Sequence, residues 1–515
     1  MSLESANTAS ETSMDNDRRT VNQGAGTFAL QFRRALTFFL FLMVVCAPHS
    51  IAATQIAWAC ALLLCLISFF VLPRRPVRRT PIDYPLAVFV ILTFISAVFS
   101  YDPDVSLPLL RSVILFTIIY LFAQNISSRR ALRLLALTLV ASCLINVFYT
   151  VGARIIGRGV KVEGIAAASP LYSVGIRDGD TLFKIDGREP RNAEDVVAAL
   201  DGEGVPALIT IYRHEITPTI PLPRGQLLEG GTPQARLGVS GWSRGRDWRA
   251  SGFYGHYVTY AEALQLIMSL AFGLFISLPQ KISRRGALLL LALAGLCVAL
   301  LLTVTRASWL AFLLSALVVV GVGTSRRAVL VVIVCALPII LAGLFVLRQQ
   351  RNVGFFDRTD QSITWRETVW REGFQLLISK PRHLLVGIGM NSIKRHWREW
   401  GLFDEGRIPI GHMHSTPLQL ALERGAPALL AWLMLMFIYG RMLYRLARSG
   451  SVEGWIERGI VLGALGGLIG FLSSGMVHYN WGDSEVVMVF YIIMGFTLFL
   501  DREAKLKSNL AKDVP

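Results

Sequence analysis

Residues 281–323, KISRRGALLLLALAGLCVALLLTVTRASWLAFLLSALVVVGVG, decide the class of fold. A short basic segment is followed by an apolar run over 286–304, a polar turn that contains Arg306, and a second apolar run over 307–323. An α-helix needs about 17 to 25 mostly apolar residues to cross a lipid bilayer. The stretch therefore predicts two transmembrane helices joined by a tight turn, with basic residues at the far end of the first helix.

The same pattern recurs along the chain. Of its 515 residues, 53% are hydrophobic and only 17% are charged, whereas soluble domains carry roughly 25% charged residues. The apolar runs predict transmembrane helices at 35–49, 53–72, 83–100, 106–124, 131–152, 257–278, 286–304, 307–323, 328–347, 415–440, 459–479 and 484–500. The sequence thus predicts an all-α polytopic membrane protein with about twelve transmembrane helices.

The positions of the basic residues predict the orientation. The net charge is +16, and many Lys and Arg residues cluster in alternate short segments between apolar runs. Such basic loops mark the cytoplasmic side of a membrane protein. Both termini are therefore expected to be cytoplasmic, and 153–256 and 348–413 are expected to be periplasmic. The clustering is a topology signal and not a nucleic-acid footprint, so no nucleic-acid partner is expected.

These signals divide the chain into seven segments, each with its own expected role. We predict a disordered cytoplasmic tail at 1–30, helices 1–5 at 31–152, a small α+β periplasmic insertion at 153–247, helices 6–9 at 248–347, a periplasmic catalytic loop at 348–413, helices 10–12 at 414–501, and a cytoplasmic tail at 502–515.

The insertion resembles a PDZ domain of the bacterial envelope proteases. Ser169-Pro170, Gly179-Asp180 and Asp186-Gly187 occur in the order typical of those domains, followed by a helix-like 193–200 and a strand-like 207–213. Asp-Gly is also a favoured hairpin turn in its own right. PDZ domains bind extended peptides by adding a strand to a sheet edge. The resemblance implies a peptide partner, and the alternative is a spacer that has lost its groove.

Chemistry-bearing residues lie in four segments that the topology places on the outer side. They are RASGFYGH at 249–256, TVTRASW at 303–309, RETVW at 366–370 and HMHS at 412–415. Arginine matches phosphate oxygens with a charged fork, and histidine can take a proton from a hydroxyl near neutral pH. Together they predict an outward pocket for a phosphate-bearing donor and an alcohol acceptor.

Each of these residues also has a structural interpretation. Arg306 can extend toward the membrane surface from a helix start, Arg366 can pair with a nearby acid, and Arg249 can face lipid headgroups. Glu423 and Arg424 can form a self-satisfied pair within a membrane helix. Because His412 and His414 lack a matching Cys, His or Asp set, we expect neither a metal site nor a cofactor.

The order of the four segments is similar to that of the O-antigen ligase family of envelope glycosyltransferases. The similarity covers about 30–150 and 248–500, with the PDZ-like insertion as an addition. It includes the family's pattern of His-(Asn/Ser/Gln), nine residues, then Gly-x-x-(Gly/Thr/Tyr), which begins here at His414. The last position of that pattern is Ala428 in this chain, a departure expected to affect only helix packing.

The resemblance implies a function and roles for particular residues. A glycan on undecaprenyl pyrophosphate would be transferred to a sugar hydroxyl of lipid A–core, at the periplasmic face of the bacterial inner membrane. His414 would activate the hydroxyl, and the pyrophosphate would be held by Arg249, Arg306 and Arg366. The residues expected to support the site are His256, His412, Trp370 and Glu423.

Other functions remain open at this stage. An O-antigen or exopolysaccharide polymerase and a protein O-oligosaccharyltransferase share the chemistry and differ in the acceptor. A transporter or flippase for lipid-linked sugars would need polar residues through the middle of the bundle. A membrane scaffold that recruits partners through the PDZ-like insertion would not need the outer arginines or His414.

Overall fold

The computed structural model describes residues 30–71, 78–213, 217–324, 334 and 361–512. The chain divides into two compact units. The first unit comprises Met1–Leu144, Val258–Leu300 and Thr305–Pro515, and the second comprises Ile145–Tyr257 and Leu301–Val304. The first unit contains most of the helices, and the second contains the sheet.

The described part of the chain is mainly helical. The helices are α1 (30–46), α2 (Ile51–Val71), α3 (Asp83–Val98), α4 (Pro103–Leu109), α5 (Arg111–Ile114), α6 (Thr117–Asn125), α7 (Arg129–Ile156), α8 (Pro170–Ser173), α9 (Ala193–Leu200), α10 (Pro233–Leu237), α11 (Tyr257–Ser277), α12 (Arg284–Leu302), α13 (Arg306–Gly323), α14 (Gln361–Ser379), α15 (Pro381–Leu385), α16 (Ile393–His396), α17 (Thr416–Arg424), α18 (Ala426–Arg448), α19 (Trp455–Gly475) and α20 (Ser484–Lys512).

Nine of the predicted membrane spans coincide with described helical segments that are long and apolar enough to cross a bilayer. Those segments are Ile51–Phe70, Pro103–Asn125, Arg129–Ile156, Tyr257–Ser277, Arg284–Leu302, Arg306–Gly323, Ala426–Arg448, Trp455–Gly475 and Ser484–Leu510. Predicted span 83–100 corresponds to the shorter apolar helix α3, and 35–49 overlaps α1. Predicted span 328–347 lies outside the described residues apart from position 334. The count of twelve therefore stays a prediction, and the multi-pass character is clear.

Two predicted spans are interrupted. The span predicted at 106–124 consists of α4, α5 and α6, and Pro108 lies inside α4. The span predicted at 415–440 is wrong as a single helix, because α17 ends at Arg424 and α18 starts at Ala426, with Gly425 between them. Gly425 has φ +82°, and a Cβ there would collide with the carbonyl oxygen of Leu385. Only glycine tolerates both the positive φ and this close contact. Gly425 therefore allows the chain to turn between the two helices.

Glycines also allow two of the membrane helices to approach closely. Gly273 of α11 lies against Gly459 and Gly463 of α19, and a Cβ on Gly463 would lie 2.6 Å from Leu270 Cα. Small residues at such positions permit backbone-to-backbone packing in membranes. Helices α11 and α19 are consequently among the more deeply buried of the candidate spans.

The second unit is built on a five-stranded antiparallel sheet. Its strands are β1 (Arg158–Ile165), β2 (Thr181–Ile185), β3 (Ala207–Tyr212), β4 (Thr219–Leu222) and β5 (Val239–Gly245), in the order β4-β3-β2-β1-β5. Strands β1 and β5 are neighbours, and Arg158 is paired with Gly245. Buried Val160, Leu182 and Ile209 form part of a core with apolar residues of α9.

Several local predictions for the insertion are confirmed. Helix α9 has the bounds predicted, and β3 covers all but the last residue of the predicted strand. Asp186 and Gly187 both have positive φ, and Ile185 and Arg188 exchange backbone hydrogen bonds across them, as a two-residue hairpin requires. A small α+β insertion is therefore present, and its identity as a PDZ module stays a prediction.

Candidate functional site

A polar cavity of about 380 Å³ lies within the first unit. Its lining residues come from α3, the interrupted segment α4–α6, α16 and the loop before it, the segment before α17, the middle and end of α17, and the N-terminal part of α20 with the loop before it. One part of the lining is apolar and includes Phe89, Leu115 and Phe116. The polar and charged lining residues are Arg111, Ser112, Asn391, Lys394, His412, Gln419, Glu423, Arg424, Tyr479 and Ser484.

Glu423 is a buried carboxylate in the lining of this cavity. It lies in the last turn of α17 and is 5% exposed. Its Oε1 accepts hydrogen bonds from the backbone N–H of Asn391 at 3.0 Å and from Nε2 of Gln419 at 2.9 Å. Its Oε2 accepts a hydrogen bond from the Tyr479 hydroxyl at 3.3 Å. Burial, followed by the negative charge of Glu423, raises the pKa of Tyr479, so this hydroxyl remains a donor.

Arg424 is buried beside Glu423 and has few partners. It is 7% exposed, and its Nη2 lies 4.0 Å from Glu423 Oε2 and 3.3 Å from the sulfur of Met390. Its Nε and Nη1 are buried with no hydrogen-bond partner. The predicted Glu423–Arg424 pair therefore forms as an ion pair, but its members do not satisfy each other's hydrogen bonds.

The predicted histidines meet at one turn before α17. The His414 backbone N–H donates to Nδ1 of His412 at 3.1 Å, and the two ring centroids are 4.1 Å apart. His414 has φ +46°, a conformation that is uncommon for a residue with a side chain. His412 lines the cavity and lies 5.6 Å from the ring of Tyr479.

Helix α14 brings two further predicted residues to this turn. The Trp365 ring makes an edge contact with His414 at 4.5 Å, and the Arg366 guanidinium lies over that tryptophan at 5.0 Å. Trp370 Nε1 donates to the carbonyl of Met413 at 2.9 Å. Arg366, Trp370, His412 and His414 therefore share one neighbourhood, which continues through Tyr479 to Glu423.

The remaining predicted residues lie elsewhere. Arg306 begins α13 and does not line this cavity. Arg249 belongs to the second unit, where Nε and Nη2 donate to the carbonyls of Thr303 at 2.9 Å and Val304 at 2.5 Å. His256 stacks on Tyr257 at 4.9 Å, and the Arg249 guanidinium lies over the same ring at 3.7 Å.

The turn that carries the histidines is fixed by a buried polar network. Thr416 donates from its backbone N–H to the carbonyl of His478 at 3.0 Å, and its hydroxyl donates to Asn480 Oδ1 at 2.9 Å. His478 Nδ1 lies 3.1 Å from Oε1 of Glu262, and both side chains are buried. Sequence reasoning missed Glu262, although a carboxylate in an apolar helix is itself a signal of function or structure.

A second polar cluster fixes the wall that carries Lys394. Ser100, Ser106 and Ser392 share hydrogen bonds at 2.8 and 3.1 Å. His396 contacts Asp102 at 3.1 Å and Glu399 at 2.8 Å. Partial burial disfavours the imidazolium, but the hydrogen bonds to Glu399 and Asp102, together with their charges, outweigh it and raise the pKa of His396.

The sequence did not predict that three cations lie together in this cavity. Arg111 lies inside the predicted span 106–124, where any charged residue is a functional candidate. Lys394 is one of several basic residues in the segment 348–413, and nothing in its sequence context marks it out. Only the fold brings them to the same cavity as Arg424.

The apolar helices indicate a multi-pass membrane protein, and the cavity that collects polar and charged side chains is its candidate site. A family model described as O-antigen ligase matches residues 287–433, a stretch that includes Arg306, Arg366, both histidines and Glu423. This match supports the O-antigen ligase family that the motifs indicate. No curated protein matches the chain.

Proposed function

We propose that the protein is an O-antigen ligase-type glycosyltransferase that uses a glycan on undecaprenyl pyrophosphate as its donor. The observation that carries the proposal is the cavity bordered by His412 and Glu423, because both belong to the stretch that resembles the ligase family. The cavity combines cations with an apolar wall. A lipid with a charged phosphate linkage complements this lining, because its anionic group matches the cations and its hydrocarbon chain matches the apolar wall.

The proposed reaction is a substitution at the anomeric carbon of the donor sugar. The bond between that carbon and the phosphate oxygen breaks, and its electron pair leaves with the lipid pyrophosphate. The acceptor hydroxyl oxygen forms the new bond, and its proton passes to the imidazole of His414. Positioned histidines are frequent general bases because they exchange protons near neutral pH.

The hydrogen bond between the two histidines supports a division of roles. An imidazole nitrogen that accepts a backbone N–H carries no proton, so neutral His412 has its proton on Nε2. His412 lines the cavity and is proposed to orient a substrate oxygen. His414 provides the base, and its left-handed backbone holds the ring beside Trp365. Non-glycine residues in that conformation cluster at functional sites.

The arginines of the motifs are proposed to contact the donor's phosphates. Arg366 is the best placed, because its guanidinium lies over the Trp365 ring, and that ring also contacts His414. Arg306 lies at a helix start, and Arg249 has backbone carbonyls as partners, so its contribution would include holding the 303–304 turn. Arginine supplies charge and a planar fork in place of a metal ion, so the proposed reaction uses neither a metal nor a cofactor.

The acceptor proposed first is a sugar hydroxyl of lipid A–core, with the site at the periplasmic face of the bacterial inner membrane and both termini cytoplasmic. A growing polysaccharide chain and a protein side chain are the alternatives, since a polymerase and an O-oligosaccharyltransferase share the substitution step. The second unit is proposed to be a PDZ-like accessory module with an extended peptide as its partner. Its sheet has two outer strands, β4 and β5, as strand addition requires.

The test is transfer by the purified full-length protein in detergent. Undecaprenyl-pyrophosphate oligosaccharide is incubated with lipid A–core, with a second copy of the donor, or with a peptide rich in Ser and Thr. We expect product with lipid A–core, and His414→Ala serves as the matched inactive protein. Product only with the donor copy or with the peptide would assign one of the alternatives, and no product with any acceptor would refute the glycosyltransferase.

A further inference from the structure

A second cavity, of about 170 Å³, lies beside the C-terminal part of α20 in the first unit. One face of that helix lines it, because Leu498, Arg502 and Leu506 recur at a spacing of four residues. The rest of the lining comes from the segment 78–81 and from the end of α6. The second cavity shares no lining residue with the candidate functional site.

The two cavities lie at different ends of α20. Ser484 lines the candidate functional site, whereas Arg502 lines the second cavity. At a rise of 1.5 Å per residue, these two positions are separated by about 27 Å along the helix axis. The hydrocarbon core of a bilayer is roughly 30 Å thick. The second cavity therefore lies near the other membrane interface, which the basic segments predict to be the cytoplasmic one.

The lining of the second cavity carries more positive than negative charge. Its charged residues are four cations and one carboxylate, namely Arg78, Arg79, Arg502, Lys505 and Asp501. The buried carboxylate already has two partners, because Arg445 donates to its Oδ1 and Lys505 Nζ lies 2.7 Å from its Oδ2. Within the described residues, the three arginines of the lining form no ion pair. An anion would reduce the repulsion among them.

The protein holds these arginines in place and leaves them accessible. Gln124 Nε2 donates to the backbone carbonyl of Arg78 at 2.8 Å, so this contact with α6 does not occupy the Arg78 side chain. Arg502 Nη1 donates to the carbonyl of Ala123 at 3.0 Å, and Arg502 as a whole is partly exposed. Arg78 and Arg79 are exposed. An anion can therefore approach the cluster from outside the protein.

Apolar and interfacial side chains beside the cations indicate that the anion belongs to a lipid. Leu506 lines the cavity and is exposed, and Leu510, one turn further along α20, is exposed as well. Arg79 Nη1 donates to the hydroxyl of exposed Tyr84 at 3.2 Å, and tyrosine is enriched at membrane–water interfaces. A soluble phosphate would contact the cations alone. A phospholipid also places its hydrocarbon chains against the leucines.

We propose that the second cavity binds the phosphate headgroup of an anionic phospholipid, in the leaflet opposite the candidate functional site. Arg78, Arg79 and Arg502 contact the phosphate, and Leu506 contacts the start of an acyl chain. Basic pockets between transmembrane helices recognise anionic lipid headgroups in this way. The bound lipid connects the segment 78–81 and α6 with α20. This site is independent of the proposed function, because the two cavities have no residue in common.

Binding of phosphatidylglycerol to the purified full-length protein tests the site. The protein is kept in a neutral detergent, phosphatidylglycerol or phosphatidylcholine is titrated in, and bound lipid is counted by native mass spectrometry. We expect the protein to bind phosphatidylglycerol more tightly. Arg78→Gln/Arg79→Gln should weaken that binding about 25-fold, because each cation near a membrane surface strengthens attraction to anionic lipid by about fivefold.

The control variant removes the same charge from the same end of the helices. Arg441 and Arg448 are exposed arginines in the C-terminal part of α18, and neither lines the second cavity. The contact of Arg445 with Asp501 places this part of α18 beside α20. Arg441→Gln/Arg448→Gln should therefore bind phosphatidylglycerol with nearly the wild-type affinity.

A stability measurement separates binding from folding. A ligand that binds only the folded protein raises its thermal unfolding midpoint. Phosphatidylglycerol should raise the midpoint of the wild type and of Arg441→Gln/Arg448→Gln, and it should raise that of Arg78→Gln/Arg79→Gln much less. Without added lipid the three midpoints should agree. If Arg78→Gln/Arg79→Gln fails to fold, Arg79→Gln carries the test with an expected loss of about fivefold, and Arg441→Gln is its control.

Three results would overturn the lipid site. The first is an unchanged affinity in Arg78→Gln/Arg79→Gln, or an equal loss in Arg441→Gln/Arg448→Gln. The second is phosphatidylcholine binding as tightly as phosphatidylglycerol, since the cations would then take no part. The third is displacement of phosphatidylglycerol by an equal concentration of glycerol 3-phosphate, which would identify a site for a soluble phosphate. None of these measurements involves glycan transfer, so failure here and failure of the proposed function are distinguishable.

Discussion

At the scale of single residues, the sharpest expectation concerns His414. A general base contributes typically about 10²–10⁴-fold in rate. His414→Ala should therefore lower the turnover of glycan transfer at saturating donor by about a hundredfold or more, with donor binding nearly unchanged. A variant that keeps more than about a tenth of wild-type turnover would show that His414 is not the base.

His412 supplies the internal control for that experiment. His412→Ala should be milder than His414→Ala, because it removes an orienting donor and the acceptor for the His414 backbone N–H. His412→Asn should recover activity relative to His412→Ala, since an amide oxygen can accept the same N–H. Equal loss in His412→Ala and His414→Ala would contradict the separate roles.

His396 should make the stability of the cavity wall that carries Lys394 depend on pH. Its pKa is raised in the folded protein, above the unfolded value of about 6.5. Its ion pairs with Asp102 and Glu399 therefore stabilise the fold fully below that unfolded value, and the contribution is lost as the pH rises through the folded pKa. His396→Gln should lower the thermal unfolding midpoint more at about pH 6 than at about pH 9.

The His396→Gln variant should also be measured in an Asp102→Asn background. Asp102 also contacts Arg395, so Asp102→Asn removes one carboxylate from both partners. In that background the pH dependence of the His396→Gln effect should shrink. An effect of equal size at both pH values would show that the imidazolium does not carry it.

At the scale of elements, the turn at Gly425 decides where Glu423 and Arg424 lie. Gly425→Ala combines a left-handed backbone with a collision against Leu385, and strained backbone alone costs on the order of 1–3 kcal/mol. We expect a lower thermal unfolding midpoint and weaker donor binding. Gly450→Ala is the matched control, because Gly450 has φ +65° and open space around it. Equal losses in the two variants would refute the collision.

The sheet of the second unit should be removable without loss of the chemistry. Its sheet begins at β1 and ends at β5, and Arg158 is paired with Gly245, so a short Gly/Ser linker can replace 159–244. The cavity described in the first unit is lined by no residue of that segment. Transfer in vitro should therefore persist in the deleted protein. Complete loss of transfer in a protein that still binds the donor would mean that the insertion shapes the acceptor site.

At the scale of the whole molecule, the orientation can be tested by labelling. In a cysteine-free background, Gly231→Cys should react with a membrane-impermeant maleimide added outside spheroplasts, because 153–256 is predicted to be periplasmic. Ser451→Cys should react only after the membrane is permeabilised. Both positions lie in connecting segments of the described chain. Labelling of position 451 from outside, or protection of position 231, would reverse the topology.

Apolar runs and turn residues predicted much of the fold because those signals are local. They located the nine candidate spans, helix α9 and the hairpin at Asp186-Gly187. The break at Gly425 was not predicted, since its cause is a close approach to Leu385, forty residues earlier in the chain. Such contacts are tertiary, and no local pattern encodes them.

The same difference between local signals and tertiary contacts applies to the candidate site. The histidine turn is local, because His412 and His414 are two residues apart, whereas Arg366 reaches it from a helix in an earlier segment. The cavity itself draws on Arg111, Lys394, Arg424 and Tyr479, which come from separate segments. Their meeting depends on how the helices pack, and the sequence offered only the general signal that charged residues in membrane helices are functional candidates.

The pairing of Arg158 with Gly245 also has an evolutionary consequence. A segment whose entry and exit lie side by side can be gained or lost by a gene without pulling apart the helices on either side. The same end-to-end closeness is why whole domains are tolerated as insertions in exposed loops. The sheet-bearing segment thus has the anatomy of a transferable cassette, because a single recombination event is enough to place it in a short loop between α7 and α11.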